Sequence, residues 1–248
     1  MRCCGVVELR QYTLKPGTRD VLIDLFDEHF VESQEAVGMT VIGQFRDRLR
    51  ADRFVWLRGF PDMEARHAAL EAFYSGPVWA AHAAAANDTM LAWDDVLLLK
   101  PLGPETAFDL RPDARMVSRE RSATVLAGIH RMGPSINAEF VARFEREVAP
   151  ALVANEIRIE GVFVTESASN TFSRLPVREG ERVLAWIGTV DERAHPPGWL
   201  DDLAGATGPG SATVLAGERA HILYLEPTSR SMLGNGRRAA RRRGPSHC

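Results

Sequence analysis

The order of elements, spelled twice, most constrains what this chain can fold into. The stretch VVELRQYTL (residues 6–14) alternates as a strand does and stops at the turn KPG. Residues 18–38 place Leu22, Leu25, Phe26 and Phe30 at helical spacing before Gly38 ends the run. MTVIGQFRD and RFVWLRGF are two strands joined by a polar turn, and residues 61–91 are helical with a break near SGP. WDDVLLLKPL closes the unit. Strand, helix, strand, strand, helix, strand is the split βαβ, or ferredoxin-like, order.

After Pro- and Gly-bearing residues 103–120 the order restarts. SATVLAGIHRM is a strand, residues 137–156 a helix with Phe140, Phe144 and Val148 on one stripe, and IEGVFVTES and RVLAWIGTV are strands. The loop ASNTFSRLPVREGE separates those two strands; a short helix, PPGWLDDLAGA, and the strand ERAHILYLEP follow. Val7 aligns with Val125 and Trp56 with Trp186, a degenerate repeat with a period near 118 residues. The fold class is therefore α+β, with two βαββαβ repeats. The expected domains are 1–102 and 121–227, with a linker at 103–120 and a disordered basic tail at 228–248. The 248-residue length accommodates two domains.

Composition excludes several roles. A net charge of −3 gives no electrostatic footprint for nucleic acid; the arginines of GRRAARRRG read as a solvated end. No apolar run approaches the ~18 residues a membrane helix needs, so no membrane insertion is expected. Only Cys3, Cys4 and Cys248 are present, without metal spacing, and residues 1–9 lack the apolar core of a secretory signal. These features fit a cytoplasmic protein. No phosphate loop or nucleophile elbow occurs.

The chemistry concentrates on the first strand. Val7 and Leu9 take one face, whereas Glu8, Arg10 and Tyr12 take the other. The first and third strands of this topology are central neighbours covered on both faces, so this polar row is enclosed rather than solvated. With suitable register, Trp56 and Arg58 lie beside it. A buried charge must be paired, and Glu8 with Arg10 or Arg58 supplies the pair. Arg10 or Arg58 could then hold an anionic or carbonyl oxygen, and Tyr12 could donate a proton. The other reading is a salt-bridge network that only fixes the sheet. Among the histidines, His29 lies on the first helix's apolar stripe, His67 leans toward the sheet, and His82 follows Trp79 by one turn. Any of them could be a base or a ligand, or a half-buried helix-flank residue. No metal site is expected. In the second repeat Leu126, Gly128 and His130 occupy the positions of Glu8, Arg10 and Tyr12, so its charges are gone.

ELRQYTLKPG, GQFRD and FVWLRGFPDMEARHAALEAFYSGPVWAAH resemble the NIPSNAP family. Arg66, the AFYSGPVW segment and the E-x-R-x-Y-T-L opening carry the resemblance over residues 6–102, and only element order and a Trp-bearing strand persist over 121–226. The resemblance implies a dimeric α+β barrel, here built by the two halves of one chain. That superfamily includes cofactor-free monooxygenases, isomerases and haem-handling enzymes, while NIPSNAP members lack an agreed activity. Three functions follow. In the first, a small organic molecule binds in the first repeat, lined by Glu8, Arg10, Tyr12, Trp56 and Arg58. His29, His67 or Tyr12 would then serve a cofactor-free oxygenase or isomerase. In the second, the chain is a non-catalytic interaction module. The third is haem binding through a helix histidine. Exposed outer strands allow a homo-oligomer.

Overall fold

Side chains alternate between two faces along both central strands of the first repeat, and, as expected, neither face meets water. The computed structural model describes residues 2–110, 123–132, 138–195, 199, 213–215 and 218–234. In chain order, β1 is Arg2–Cys3 and β2 is Val6–Leu14; helix α1 spans residues 19–35; β3 is Thr40–Asp47 and β4 Arg53–Phe60. Helices α2 (Met63–Tyr74) and α3 (Pro77–Asp88) precede β5, Met90–Pro101, and β6, Phe108–Asp109. The second repeat carries β7 (Thr124–Arg131), helix α4 (residues 138–154), β8 (Arg158–Thr165), β9 (Val183–Val190), β10 (Thr213–Leu215) and β11 (Glu218–Pro227).

The strand order is β11-β3-β4-β2-β5-β8-β9-β7, and β7 pairs back onto β11. Eight antiparallel strands thus close a barrel. Within each repeat the order is the ferredoxin-like one, β3-β4-β2-β5 and β8-β9-β7-β11. The repeats join where the last strand of one meets the second strand of the other, β5 on β8 and β11 on β3. Closure removes the sheet edges that an isolated repeat would expose.

The inner face is apolar. Val7, Leu9, Leu57, Ala127, Ala185 and Leu225 belong to one buried cluster inside the barrel. The outer faces lie under helices: α1, α2 and α3 cover the first repeat, and α4 covers the second. Local chemistry sets the breaks. The Asp62 side chain accepts from the Ala65 N–H at 2.7 Å and caps α2. Gly76 and Pro77 divide α2 from α3, with Pro77 in the first turn, where its missing N–H costs nothing.

The repeat is visible in register. Arg10 lies opposite Trp56, and Gly128 lies opposite Trp186. Both α1 and α4 contain a π-helical turn, Phe26–Phe30 and Phe144–Val148, whose starts are 118 residues apart as Val7 and Val125 are. The outer face of the second repeat is filled differently. A Cβ on Gly128 would lie 2.2 Å from the Trp186 indole, so that indole occupies the space a side chain there would need. Trp186 Nε1 donates to His130 Nε2 at 3.1 Å, beside Phe140 and Phe144.

Two boundaries differ from expectation. The tail is ordered through Gly234, because Leu233 is buried against the barrel and Met232 N–H donates to the Ile42 carbonyl. Residues 235–248 lie outside the described residues. Within the expected linker, Pro104–Thr106 forms a 3-10 turn and Phe108–Asp109 pairs with β1; residues 111–122 lie outside the described ones, as does almost all of the short helix expected around residue 200. Among the described residues no helix is long and apolar enough to cross a membrane.

Burial lowers the His130 pKa from 6.5 to about 4. The folded protein therefore holds it neutral while the unfolded chain takes up a proton below pH 6.5. Its contribution is complete above pH 6.5 and is lost as pH falls toward 4, at most about 3 kcal/mol. Denaturant unfolding of wild type and His130→Gln across that window should show a shallower loss for the variant. Parallel pH profiles would contradict the assignment.

Candidate functional site

The site lies between the first repeat's sheet and its helices, outside the barrel. β2 and β4 bring Glu8 opposite Arg58, Arg10 opposite Trp56 and Tyr12 opposite Phe54. The register joins the five residues expected to share a surface. Helix α2 adds Arg66 from above. Glu8, Arg10, Arg58 and Arg66 are all 0% exposed.

One carboxylate serves three guanidiniums. Glu8 Oε2 accepts from Arg10 Nη1 at 2.6 Å and from Arg58 Nε at 2.8 Å, and Oε1 accepts from Arg66 Nε at 2.7 Å. Arg58 Nη1 also donates to Gln34 Oε1 at 3.2 Å, and Gln34 Nε2 donates to the Phe30 carbonyl. Arg66 Nη1 reaches Asn170 and Thr171. Arg10 Nε donates to the Tyr12 hydroxyl oxygen at 2.9 Å. That bond leaves the Tyr12 proton free for another acceptor.

Electrostatics follow from this geometry. Burial pushes the Glu8 pKa up, but Arg58, Arg10 and Arg66 together hold it well below the usual carboxylate range. Burial lowers the Arg66 pKa, with Glu8 opposing. Burial raises the Tyr12 pKa against the pull of Arg10, so the phenol stays protonated. The four charged side chains carry a net charge of about +2 out of water, where charge is expensive. The Trp56 ring lies 5.7 Å from the Arg10 guanidinium carbon and 5.0 Å from that of Arg58, offsetting part of that cost. Donors remain unused: Arg10 Nη2, Arg66 Nη2 and Trp56 Nε1 are buried without hydrogen-bond partners. Arg58 Nη2 is 2.8 Å from Glu8 Oε2 but poorly aligned, so it counts as ion-paired.

Beside this cluster lies an aromatic cavity of about 30 Å³ whose lining includes Tyr12, Trp56, Phe30, Gln34, Tyr74 and Trp79. That is room for one or two waters. Tyr74 and Trp79 flank the Gly76 break and are only half-buried. The long loop of the second repeat forms a strap over them. Phe172 is buried in the first repeat's outer cluster and stacks on Tyr74, with ring centres 5.9 Å apart. Arg178 N–H donates to the Val96 carbonyl and Arg178 Nη1 to Asp95, which fastens the strap to β5. Each repeat thus contributes to one site.

The histidines sit elsewhere. His67 is exposed, contrary to the expected lean toward the sheet, with Nδ1 2.7 Å from the Thr171 carbonyl oxygen. One residue earlier, Arg66 takes the inward position. His29 stacks face to face on His82 at 3.7 Å. None of His29, His67 and His82 lines the cavity. Among the described residues no three His, Cys, Asp or Glu side chains are grouped to hold a metal. Sequence reasoning missed Arg66 and the strap as parts of the site. Arg66 was legible as the helical position before Ala69, Leu70 and Phe73, which are buried; the strap showed only its length.

A closed α+β barrel of two ferredoxin-like repeats, with one repeat bearing a buried polar site, defines the class of protein. Residues 7–102 match the model of the NIPSNAP family. Among solved structures, a protein of Fusobacterium nucleatum named as a candidate monooxygenase is 11% identical, with TM-score 0.55, covering 95% of this chain and 98% of that one. A candidate monooxygenase of Lactobacillus acidophilus is 12% identical, with TM-score 0.52, covering 90% and 93%. A dye-decolorizing peroxidase of Bacteroides thetaiotaomicron is 9% identical, with TM-score 0.50, covering 92% and 94%. At such identities these similarities establish the fold alone. No curated protein matches the chain.

Replacing Glu8 by Gln should strip the cluster of its countercharge and cost about 3–5 kcal/mol in denaturant unfolding. Adding Arg66→Met to that variant should recover part of the loss, since one uncompensated charge leaves with it. A near-neutral Glu8→Gln would contradict the description.

Proposed function

We propose that the first repeat binds a small organic molecule in the cavity between sheet and helices. The chemistry we assign is that of a cofactor-free oxygenase or isomerase. The observation that carries this reading is the asymmetry of the two repeats. The same half-barrel is built twice, yet among the described residues it is the first copy that buries a carboxylate, three guanidiniums and idle donors beside a cavity. In the other copy Trp186 fills the equivalent space. A network needed only to close the barrel would be required on both sides.

The lining suits one kind of step. It offers donors, the Tyr12 hydroxyl and Trp56 Nε1, and it includes no carboxylate or histidine. Donors aimed at developing negative charge stabilise an enolate or a comparable oxyanion. Such an anion is the shared first intermediate of cofactor-free oxygenation and of carbonyl isomerisation. Arg10 stands behind Tyr12 and lends its field to the phenol proton. In this account Tyr12 and Trp56 hold the ligand oxygen, Glu8 positions the arginines, and a ring-sized ligand enters by parting Tyr74, Trp79 and the strap. His29 and His67, outside the lining, are left at most a role at its mouth.

The test is deuterium uptake at the acidic carbon of enolisable aromatic ketones in heavy water, followed by NMR. The wild-type protein should accelerate uptake over buffer, and Tyr12→Phe should lower that acceleration by about a hundredfold, the usual cost of one oxyanion donor. Absence of both acceleration and ligand-induced quenching of tryptophan fluorescence would favour the non-catalytic module.

A further inference from the structure

We infer that the ligand of this site is bound as an oxygen anion, an ionised phenol, enol or carboxylic acid attached to a flat apolar body. This inference rests on the pocket reading given above and names its substrate class. Three observations converge on it. First, the buried cluster is unbalanced. Arg10, Arg58 and Arg66 share Glu8, and among the described residues their hydrogen bonds and ion pairs include no other carboxylate. A protein interior does not hold about two surplus charges without cost, and an incoming anion offsets them directly.

Second, the unused hydrogen-bonding capacity at the site has one polarity. Trp56 is 2% exposed and lines the cavity, and its Nε1–H has no partner. Tyr12 lines the same cavity with its oxygen already accepting from Arg10, so only its proton is available. The Gln34 amide, the other polar group that could adapt, is committed through both ends, its oxygen to Arg58 and its nitrogen to Phe30. A neutral ligand presenting an O–H or N–H donor would find little to accept it. A ligand oxygen bearing negative charge would find two hydrogen bonds and the field of the arginines. Third, the walls are aromatic, with Phe26, Phe30, Phe73, Tyr74 and Trp79 around the cavity. They suit the flat body of a conjugated acid, whose charge the ring itself delocalises.

The reading also removes a difficulty in the chemistry. The lining holds no base, and a ligand that arrives ionised, or that loses its proton to water as it binds, needs none. The proton passes to solvent, and the positive field lowers the pKa of the bound ligand to make that transfer favourable.

The experiment compares 7-hydroxycoumarin with 7-methoxycoumarin, its methyl ether of nearly equal shape, on the full chain by fluorescence titration across pH. The ionised hydroxycoumarin should bind at least tenfold more tightly than the ether. The bound dye should stay ionised at a pH where the free dye is mostly neutral. Arg66→Met removes one surplus charge and should reduce the preference for the anion over the ether about tenfold. Should that variant not fold, Trp56→Phe provides a second measurement and should weaken the anion at least fivefold more than the ether. Equal binding of dye and ether overturns the inference and leaves the pocket reading standing. If neither binds, both fall.

Discussion

Glu8 is the point on which this structure turns. Its carboxylate ties together two strands and a helix, because Arg10 shares its strand, Arg58 comes from the neighbouring strand and Arg66 comes from helix α2. Coulomb attraction in a dry setting makes each of these contacts strong, and removal of the acid would leave three like charges facing one another. The sheet register and the seating of the helix layer are thereby coupled to a single side chain. The same arrangement leaves positive charge in excess, which hydrophobic packing alone would not produce.

The contrast between repeats shows how one architecture can be spent in two ways. In the second repeat Gly128 opens room for Trp186, and His130 accepts the indole N–H. Shape and one hydrogen bond fill that face. In the first repeat the residue at the glycine's position is Arg10, and the indole of Trp56 stands over guanidiniums instead. The filled copy supplies, through the strap carrying Phe172 and Arg178, part of the roof over the other copy's cavity. Joining two repeats in one chain is what allows this division of labour, since identical chains would have to carry the same residues on both sides.

Much of this was legible in the sequence. The element order gave both repeats, and the alignment of Val7 with Val125 and Trp56 with Trp186 survives in the strand registers and in the paired π-helical turns. Enclosure of Glu8, Arg10 and Tyr12 followed from the centrality of β2. What could not be read was which side of a helix faces the sheet to within one residue. His67 and Arg66 are adjacent, and an apolar stripe about 100° wide does not separate them. Nor could the strap be placed, because a loop without periodicity carries no signal of the surface it covers. Order at residues 228–234 depends on Leu233 meeting the barrel, a tertiary contact that local composition hides.

The central claim is that the first repeat holds an unneutralised positive site and that the described residues of the second do not. A bromide soak of crystals, read by anomalous scattering, tests it directly, because the ion fits a cavity of about 30 Å³ without displacing the roof. The account predicts an ordered bromide beside Trp56 Nε1 and the Tyr12 hydroxyl, with none beside Trp186. Bromide confined to the protein surface, at a concentration that fills surface sites, would contradict it.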